Sequence, residues 1–265
     1  MQSSQNAKCL QCNIEYPISP TGQPDFRLKQ KKTCSVKVDL TVESMPHSSF
    51  VSDRKVNSLS AGLASYFPLA KDKQSFMLDL GCGSTLYRSQ CEDAGFKYIG
   101  LDYNSPEATL LGDAHSLPFE DESLDFVLST AVLEHLRYPF IALSEVHRVL
   151  KKQGKFIGTV AFLEPFHNDS FYHFTHLGLI NCLEYAQFRI EQMAPIPKWD
   201  VLTAQASMAF FPKMPLIFIQ LLLAPIRGAQ SVWWRIGSSL YPRAGDLISN
   251  SIRTAGAFAF IAEKL

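Results

Sequence analysis

Phe76-Met77-Leu78-Asp79-Leu80-Gly81-Cys82-Gly83-Ser84 is the stretch whose reading decides the fold. A short apolar run that ends in two glycines one residue apart predicts a buried strand feeding a tight turn. Glycines suit that turn because a Cβ would block the approach of a ligand to the backbone where a strand opens into a helix. The helix is expected to run through Cys91 and Ala94 and to stop at Gly95.

Working outward, KYIGLD (97–102), ATLLGD (108–113), SLDFVLST (123–130) and GKFIGTVAFL (154–163) read as further strands. Between the last two, Pro139 suits a first helical turn, and Ala142, Val146, Val149 and Leu150 share one face. Lys151 and Lys152 then fall in the last turn of that helix and Gly154 just beyond it. A second helix is expected over His176–Ala186 with Thr175 as its N-cap, and strands over Phe188–Met193 and Gly256–Ala262. Residues 197–253, rich in Pro, Phe, Leu and Trp, read as an insertion joining the last two strands. Strands alternating with helices, most of them near-continuous apolar runs, indicate a parallel sheet covered on both faces.

The chain has 265 residues, with 46% hydrophobic and 19% charged, enough to bury a sizeable core. Lys+Arg and Asp+Glu both number 25, so the net charge is zero, which argues against a nucleic-acid surface. Six scattered cysteines (9, 12, 34, 82, 91 and 182) do not form a secreted disulfide framework, and a cytoplasmic location is expected. The segment MQSSQNAKCLQC lacks the apolar run of a leader. Met214–Ile226 is apolar but interrupted by Pro215, Gln220 and Pro225 and falls short of the ~20 residues that span a bilayer. A spanning helix is therefore not expected, while an interfacial one stays open.

Asp102 follows Asp79 by 23 residues, close to the ~20 at which a carboxylate meets ribose hydroxyls, so the pair points to an adenosine-type cofactor. LDLGCGS, IGLDYN, GDAHSLPFEDESLDFVLSTAVLEHL and EVHRVLKKQGKFIGTV, in that order, resemble the class I S-adenosylmethionine-dependent methyltransferases of the small-molecule type with LEH after the fourth strand. The resemblance covers about Phe76 to Ile190 and implies an α/β, Rossmann-like fold. Its seven-stranded, mostly parallel sheet would carry helices on both faces and a helical insertion before the last strand. It implies S-adenosylmethionine as cofactor. Asp79 would orient its methionine end near Gly81 and Gly83, and Asp102 would hold the ribose diol. Asp113 and Ala114 would meet the adenine edge, and Ser129 and Thr130 would line the floor under the sulfonium.

For catalysis the resemblance directs attention to His135, after the fourth strand, and to His173 in FHNDSFYHFTHLGL, after the fifth. An unperturbed imidazole titrates near neutral pH, so such a side chain could take an acceptor's proton. His135 could equally anchor its loop, and His173 could be a half-buried spacer before the Thr175 cap. Metal-dependent relatives carry an acid where Ala131 stands, so no metal is expected there. STAVLEH also replaces the Asn/Asp-Pro-Pro-aromatic run associated with methylation at base or amide nitrogen.

CLQCNIEYPISPTGQPDF resembles the second half of a Trm112-like zinc ribbon. Four ligands are needed for such a site. Cys9 and Cys12 have knuckle spacing but Cys34 and His47 do not complete it, so a degenerate, metal-free arm over 1–55 is expected before a methyltransferase domain over 56–265. In the 197–253 insertion, Phe210, Phe211, Trp233 and Trp234 lie among Lys213, Arg227 and Arg235. That composition fits a lid over an apolar acceptor, a peripheral membrane contact through 208–236, or an ordinary helical cap. The expected activity is methyl transfer to a small-molecule or lipid-linked acceptor, at oxygen. The competing readings are an RNA-directed enzyme and a cofactor-binding but catalytically silent partner protein.

Overall fold

The computed structural model describes residues 6–8, 13–27, 62–240 and 247–265. In the N-terminal arm β1 (Ala7–Lys8) pairs antiparallel with β2 (Glu15–Tyr16). Cys9, Cys12, Cys34 and His47, on which the ribbon reading rests, lie outside the described residues. The arm then docks on the main sheet: Phe26 N donates to Leu111 O at 2.8 Å and Leu111 N to Pro24 O at 3.1 Å. Such pairing covers backbone groups that an edge strand would leave open.

The main sheet begins with β3 (Phe76–Leu80), followed by α1 (Arg88–Asp93), β4 (Lys97–Asp102), β5 (Leu110–Leu111) and β6 (Leu124–Thr130). It continues with α2 (Pro139–Val149), β7 (Leu150–Ala161), α3 (His176–Tyr185) and β8 (Phe188–Pro195). The insertion follows as α4 (Val201–Gln205), α5 (Leu216–Leu240) and α6 (Leu247–Arg253), and β9 (Ala257–Lys264) closes the sheet. The seven strands lie in the order β5-β4-β3-β6-β7-β9-β8, and β9 alone runs antiparallel to its neighbours. This is the mostly parallel, Rossmann-like α/β sheet that the strand texture implied.

Period-two alternation sends side chains to both faces. Leu78 and Leu80 of β3 and Val127 of β6 join the core beneath α2 and α3, while Met77, Phe126 and Leu128 pack with Cys91 on the opposite face. Helix α2 starts on Pro139 and buries Ala142, Leu143, Val146 and Val149. Thr175 caps α3 as expected, its Oγ1 accepting from Gly178 N at 3.0 Å.

Three local expectations are corrected. The last turn of α2 holds His147 and Arg148 rather than Lys151 and Lys152, because the chain is already extended at Leu150, which pairs with Leu124. Lys151 then reaches Asp125 at 2.8 Å. Strand β5 is two residues long, not six, because the Thr109 hydroxyl takes the Gly100 N–H at 3.1 Å and so replaces a backbone rung. Finally, the apolar run that was expected to stop at Ile226 continues as a 25-residue helix. Its Leu216–Gly237 stretch is long and apolar enough to cross a membrane by length and composition, with 11% of the apolar window buried. Pro215 precedes the helix and Pro225 is carried within it.

Arg148 ties α2 to the loop that leads from the pocket edge to β6. It donates to Glu145 Oε1 and Oε2, both at 2.8 Å, to Phe119 O at 2.8 Å, to Leu117 O at 3.0 Å and to Asp121 Oδ1 at 2.7 Å. A lysine cannot reproduce that planar fork. Arg148→Lys is expected to cost about 1.5–3 kcal/mol and to lower the melting temperature by roughly 4–10 °C, read by thermal denaturation.

Candidate active site

The carboxyl ends of β3, β4, β5 and β6 meet where the strand order reverses between β4-β3 and β3-β6. Crevices at such switch points are where open α/β sheets bind ligands. Here a cavity of about 830 Å³ opens, walled by Gly81, Asp102, Asp113, Ala114 and His135 together with Tyr103, Val132, Tyr138 and Phe171.

The glycine turn leaves β3 with Gly81 at φ +70° and its N–H on Leu101 O at 2.8 Å. A Cβ at Gly81 would sit 2.4 Å from Val132 Cγ2, so the turn and the loop after β6 pass within contact only because this residue has none. Asp102 holds the turn from the other side. Its Oδ2 accepts from Gly83 N at 3.0 Å, and its Oδ1 accepts from Asn104 N and Ser105 N, both at 2.9 Å. The carboxylate therefore organises its own loop as well as facing the cavity.

Asp79 lies behind the wall rather than in it. It is 2% exposed and accepts the Tyr98 hydroxyl on Oδ2 at 2.7 Å. Burial pushes its pKa up to about 6, helped by the charge of Asp102 and opposed by the Tyr98 hydrogen bond. Ser129 is fully buried within the sheet, with its Oγ unpartnered. The walls thus bring together Gly81, Asp102, Asp113, Ala114 and His135, while Asp79 and Ser129 are buried outside them and Gly83 is exposed. His173 is solvent-exposed and outside the walls, its ring 6.2 Å from that of His167.

Some residues that shape the site were not singled out in the sequence. Asp113 Oδ1 accepts from His115 N at 2.9 Å and meets His115 Nδ1 at 2.6 Å, while His115 Nε2 accepts from Tyr138 N at 3.2 Å. The His115 hydrogen bond holds the Asp113 carboxyl below its usual range. The imidazole is thereby fixed between the β5 loop and the entry to α2. Its only signal was its place in the quoted GDAHSLPF segment.

Beyond β6, Ala131 adopts φ +54° and lines both this cavity and a second one of about 380 Å³. The second cavity is walled by Val160, Ala161, Ile196, Trp199, Leu216 and Gln220, among others, with Glu134 and Glu164 as its acidic members. Leu216 and Gln220 come from α5, so the insertion closes one side of it. Glu134 itself is fully buried, and its pKa is raised to about 7 by that burial. Its carbonyl accepts from Phe171 N at 2.7 Å and Tyr172 N at 3.1 Å, which pins the loop after β7 over the site.

Residues 78–158 match the family model described as a methyltransferase domain. An uncharacterized methyltransferase of Mycobacterium leprae is 33% identical over 91 residues, covering 29% of this chain and 34% of that one. The biotin biosynthesis bifunctional protein BioHC of Cellvibrio japonicus is 30% identical over 110 residues, covering 37% of this chain and 22% of that one. The chain spans less than half the length of each of these relatives. Among solved structures, the complex of the Haloferax volcanii Trm112 methyltransferase activator with its methyltransferase aligns at a TM-score of 0.49 and 18% identity, covering 76% of this chain and 86% of that one.

Proposed function

We propose that this chain, a class I S-adenosylmethionine-dependent methyltransferase, transfers a methyl group to an apolar small-molecule or lipid-linked acceptor, at oxygen. One observation carries the reading: the switch-point cavity, with Gly81 and Asp102 in its wall, shares Ala131 as a wall residue with a second, largely apolar cavity that Leu216 and Gln220 of α5 help to line.

The residues present fit the cofactor. Gly81, without a Cβ, lets Val132 close against the turn while its backbone lines the cavity, and Asp102 retains acceptor capacity beyond its three backbone donors. Asp102 would take the ribose hydroxyls, Asp113 and Ala114 the adenine edge, and Gly81 and Gly83 the methionine end with Asp79 behind them. Ser129 would lie beneath the reacting centre. Bound S-adenosylmethionine supplies a methyl carbon made electrophilic by a cationic sulfur. The chain supplies alignment, because an in-line displacement gains most from holding donor and acceptor together. His135, which lines the cavity wall, would be the side chain to meet the acceptor oxygen. His173, from its exposed position, would act only by bordering the entrance.

What supports an apolar acceptor is the insertion. Ile219 and Leu223 of α5 are buried, while Ile217, Phe218, Leu221, Leu222, Ile226 and Trp233 are exposed. A face of that kind suits the 208–236 segment to a membrane interface. Arg227 does not serve lipid headgroups there, because its guanidinium is held by Asp200 at 2.9 and 3.0 Å. The cysteine usage keeps a cytoplasmic location with this peripheral contact as the matching setting.

The test is transfer of labelled methyl from S-adenosylmethionine to fractionated cell extracts. Label is expected in the solvent-extractable lipid and small-molecule fraction. Label in RNA would replace this acceptor class with the nucleic-acid one. Cofactor binding with no transfer to any fraction would favour the silent partner.

A further inference from the structure

Two buried polar atoms without a partner lie side by side in the short 3-10 turn Leu133–His135. Glu134 Oε1 accepts from Ala161 N at 3.1 Å, but Oε2 receives no hydrogen bond. His135 Nδ1 is likewise buried and unpartnered. An orphaned buried polar atom costs about 1–3 kcal/mol, so two of them on neighbouring residues call for an occupant. The third group is His167, from the loop after β7. Glu134, His135 and His167 each offer a ligand atom, and these atoms all lie within 4.8 Å of one another.

The surroundings of the two imidazoles suit ligation. The Asn168 backbone lies close to the His135 ring, and His135 Nδ1 has no hydrogen-bond partner. His167 Nδ1 lies 3.0 Å from Pro165 O, which leaves Nε2 as its lone-pair atom. A backbone carbonyl behind the ring is a usual way of orienting a metal-ligating histidine. The rings stand 5.3 Å apart at 79°, so they do not stack. Glu164 Oε2, 3.8 Å from His167 Nδ1, adds negative charge beside the cluster.

We propose that Glu134, His135 and His167 form a site for a divalent transition metal of the zinc type, with His135 in the wall of the first cavity and Glu134 in that of the second. Two imidazoles and one carboxylate match a three-ligand zinc site that keeps a place for water or substrate. This replaces the expectation of no metal drawn from Ala131: the third ligand comes from a loop 32 residues beyond His135, not from the start of the motif. Within the proposed function, the ion would gather the acceptor oxygen and lower the pKa of a coordinated hydroxyl. The site itself does not depend on that function.

The experiment uses the full chain carrying Cys9→Ser and Cys12→Ser, so that the Cys-x-x-Cys pair cannot supply the signal. Chelator-treated protein is titrated with cobalt(II), followed by visible absorption, and with zinc, followed by calorimetry and metal analysis. About one equivalent is expected, with affinity falling at least ~10-fold in His167→Ala and in Glu134→Gln and unchanged in His147→Ala. Glu134→Gln keeps the shape and an acceptor for Ala161 N, and His167→Ala changes a loop residue, so melting curves will separate lost binding from lost folding. No binding by the folded protein, or binding indifferent to both cluster variants, would overturn the site while leaving the methyl-transfer reading standing.

Discussion

Gly81→Ala is expected to lower affinity for S-adenosylhomocysteine by at least ~100-fold and to destabilise the fold by about 2–5 kcal/mol. Two effects combine. A non-glycine residue at φ +70° costs about 1–2 kcal/mol, and the new Cβ, 2.4 Å from Val132 Cγ2, forces the turn or the β6 loop to move for roughly 1–3 kcal/mol more. Both of those segments wall the cavity. Gly83→Ala is the matched control: its φ is also positive, at +49°, but nothing lies within 4 Å of the added Cβ. That variant should lose only the conformational term, about 1 kcal/mol, in denaturant titrations. Equal losses from the two substitutions would mean that Val132 yields freely and that the close approach is not what shapes the pocket.

Asp79→Asn should separate stability from binding. The Asp79 carboxyl, raised to about 6 by burial, holds its proton in the folded protein between roughly pH 4 and 6, where the unfolded chain has released it. Its contribution is therefore most favourable below the unfolded value, declines as pH rises toward 6, and is a constant penalty above that. Asparagine keeps an oxygen for the Tyr98 hydroxyl and removes the charge. The variant is expected to be about 1–3 kcal/mol more stable than the parent at pH 7.5, with the gap closing near pH 4. Cofactor affinity should fall by about 10–100-fold if Asp79 acts from behind the wall on the methionine end, as proposed, since its negative charge is then gone. Urea unfolding at several pH values reads the first effect and calorimetry the second. A variant no more stable than the parent at pH 7.5 would contradict the burial account of this carboxylate.

How much of this was legible in the sequence depends on how local the cause is. The strand before Gly81, the Thr175 cap and the alternation of strands with helices are set by residues within a few positions of one another, and each is found where the pattern puts it. The end of α2 was misplaced because Leu150 continues the apolar stripe of the helix while its burial is satisfied by pairing with Leu124. The length of α5 was hidden by its prolines. Pro215 sits at a helix start, where its missing N–H costs nothing, and Pro225 is accommodated inside the helix.

The site divides in the same way. Gly81, Asp102, Asp113 and Ala114 lie at successive strand ends, so their convergence follows from the topology once the strands are placed. Val132 against Gly81, His115 between Asp113 and Tyr138, and His167 beside Glu134 depend on how loops cross above the sheet. Spacing carries no information about that. The sequence therefore exposed the switch-point cavity more fully than the second cavity, which Leu216 and Gln220 of α5 help to line.

The measurement that bears most directly on the central claim is a calorimetric titration of S-adenosylhomocysteine into the full chain, with NAD as control and Asp102→Ala alongside. Saturable binding of S-adenosylhomocysteine, none of NAD, and a clear weakening in an Asp102→Ala protein that still melts cooperatively is the predicted result. At about 100 times the dissociation constant the ligand should also add ~2.7 kcal/mol of stability to the parent. No binding of S-adenosylhomocysteine, or preference for NAD, would contradict the account.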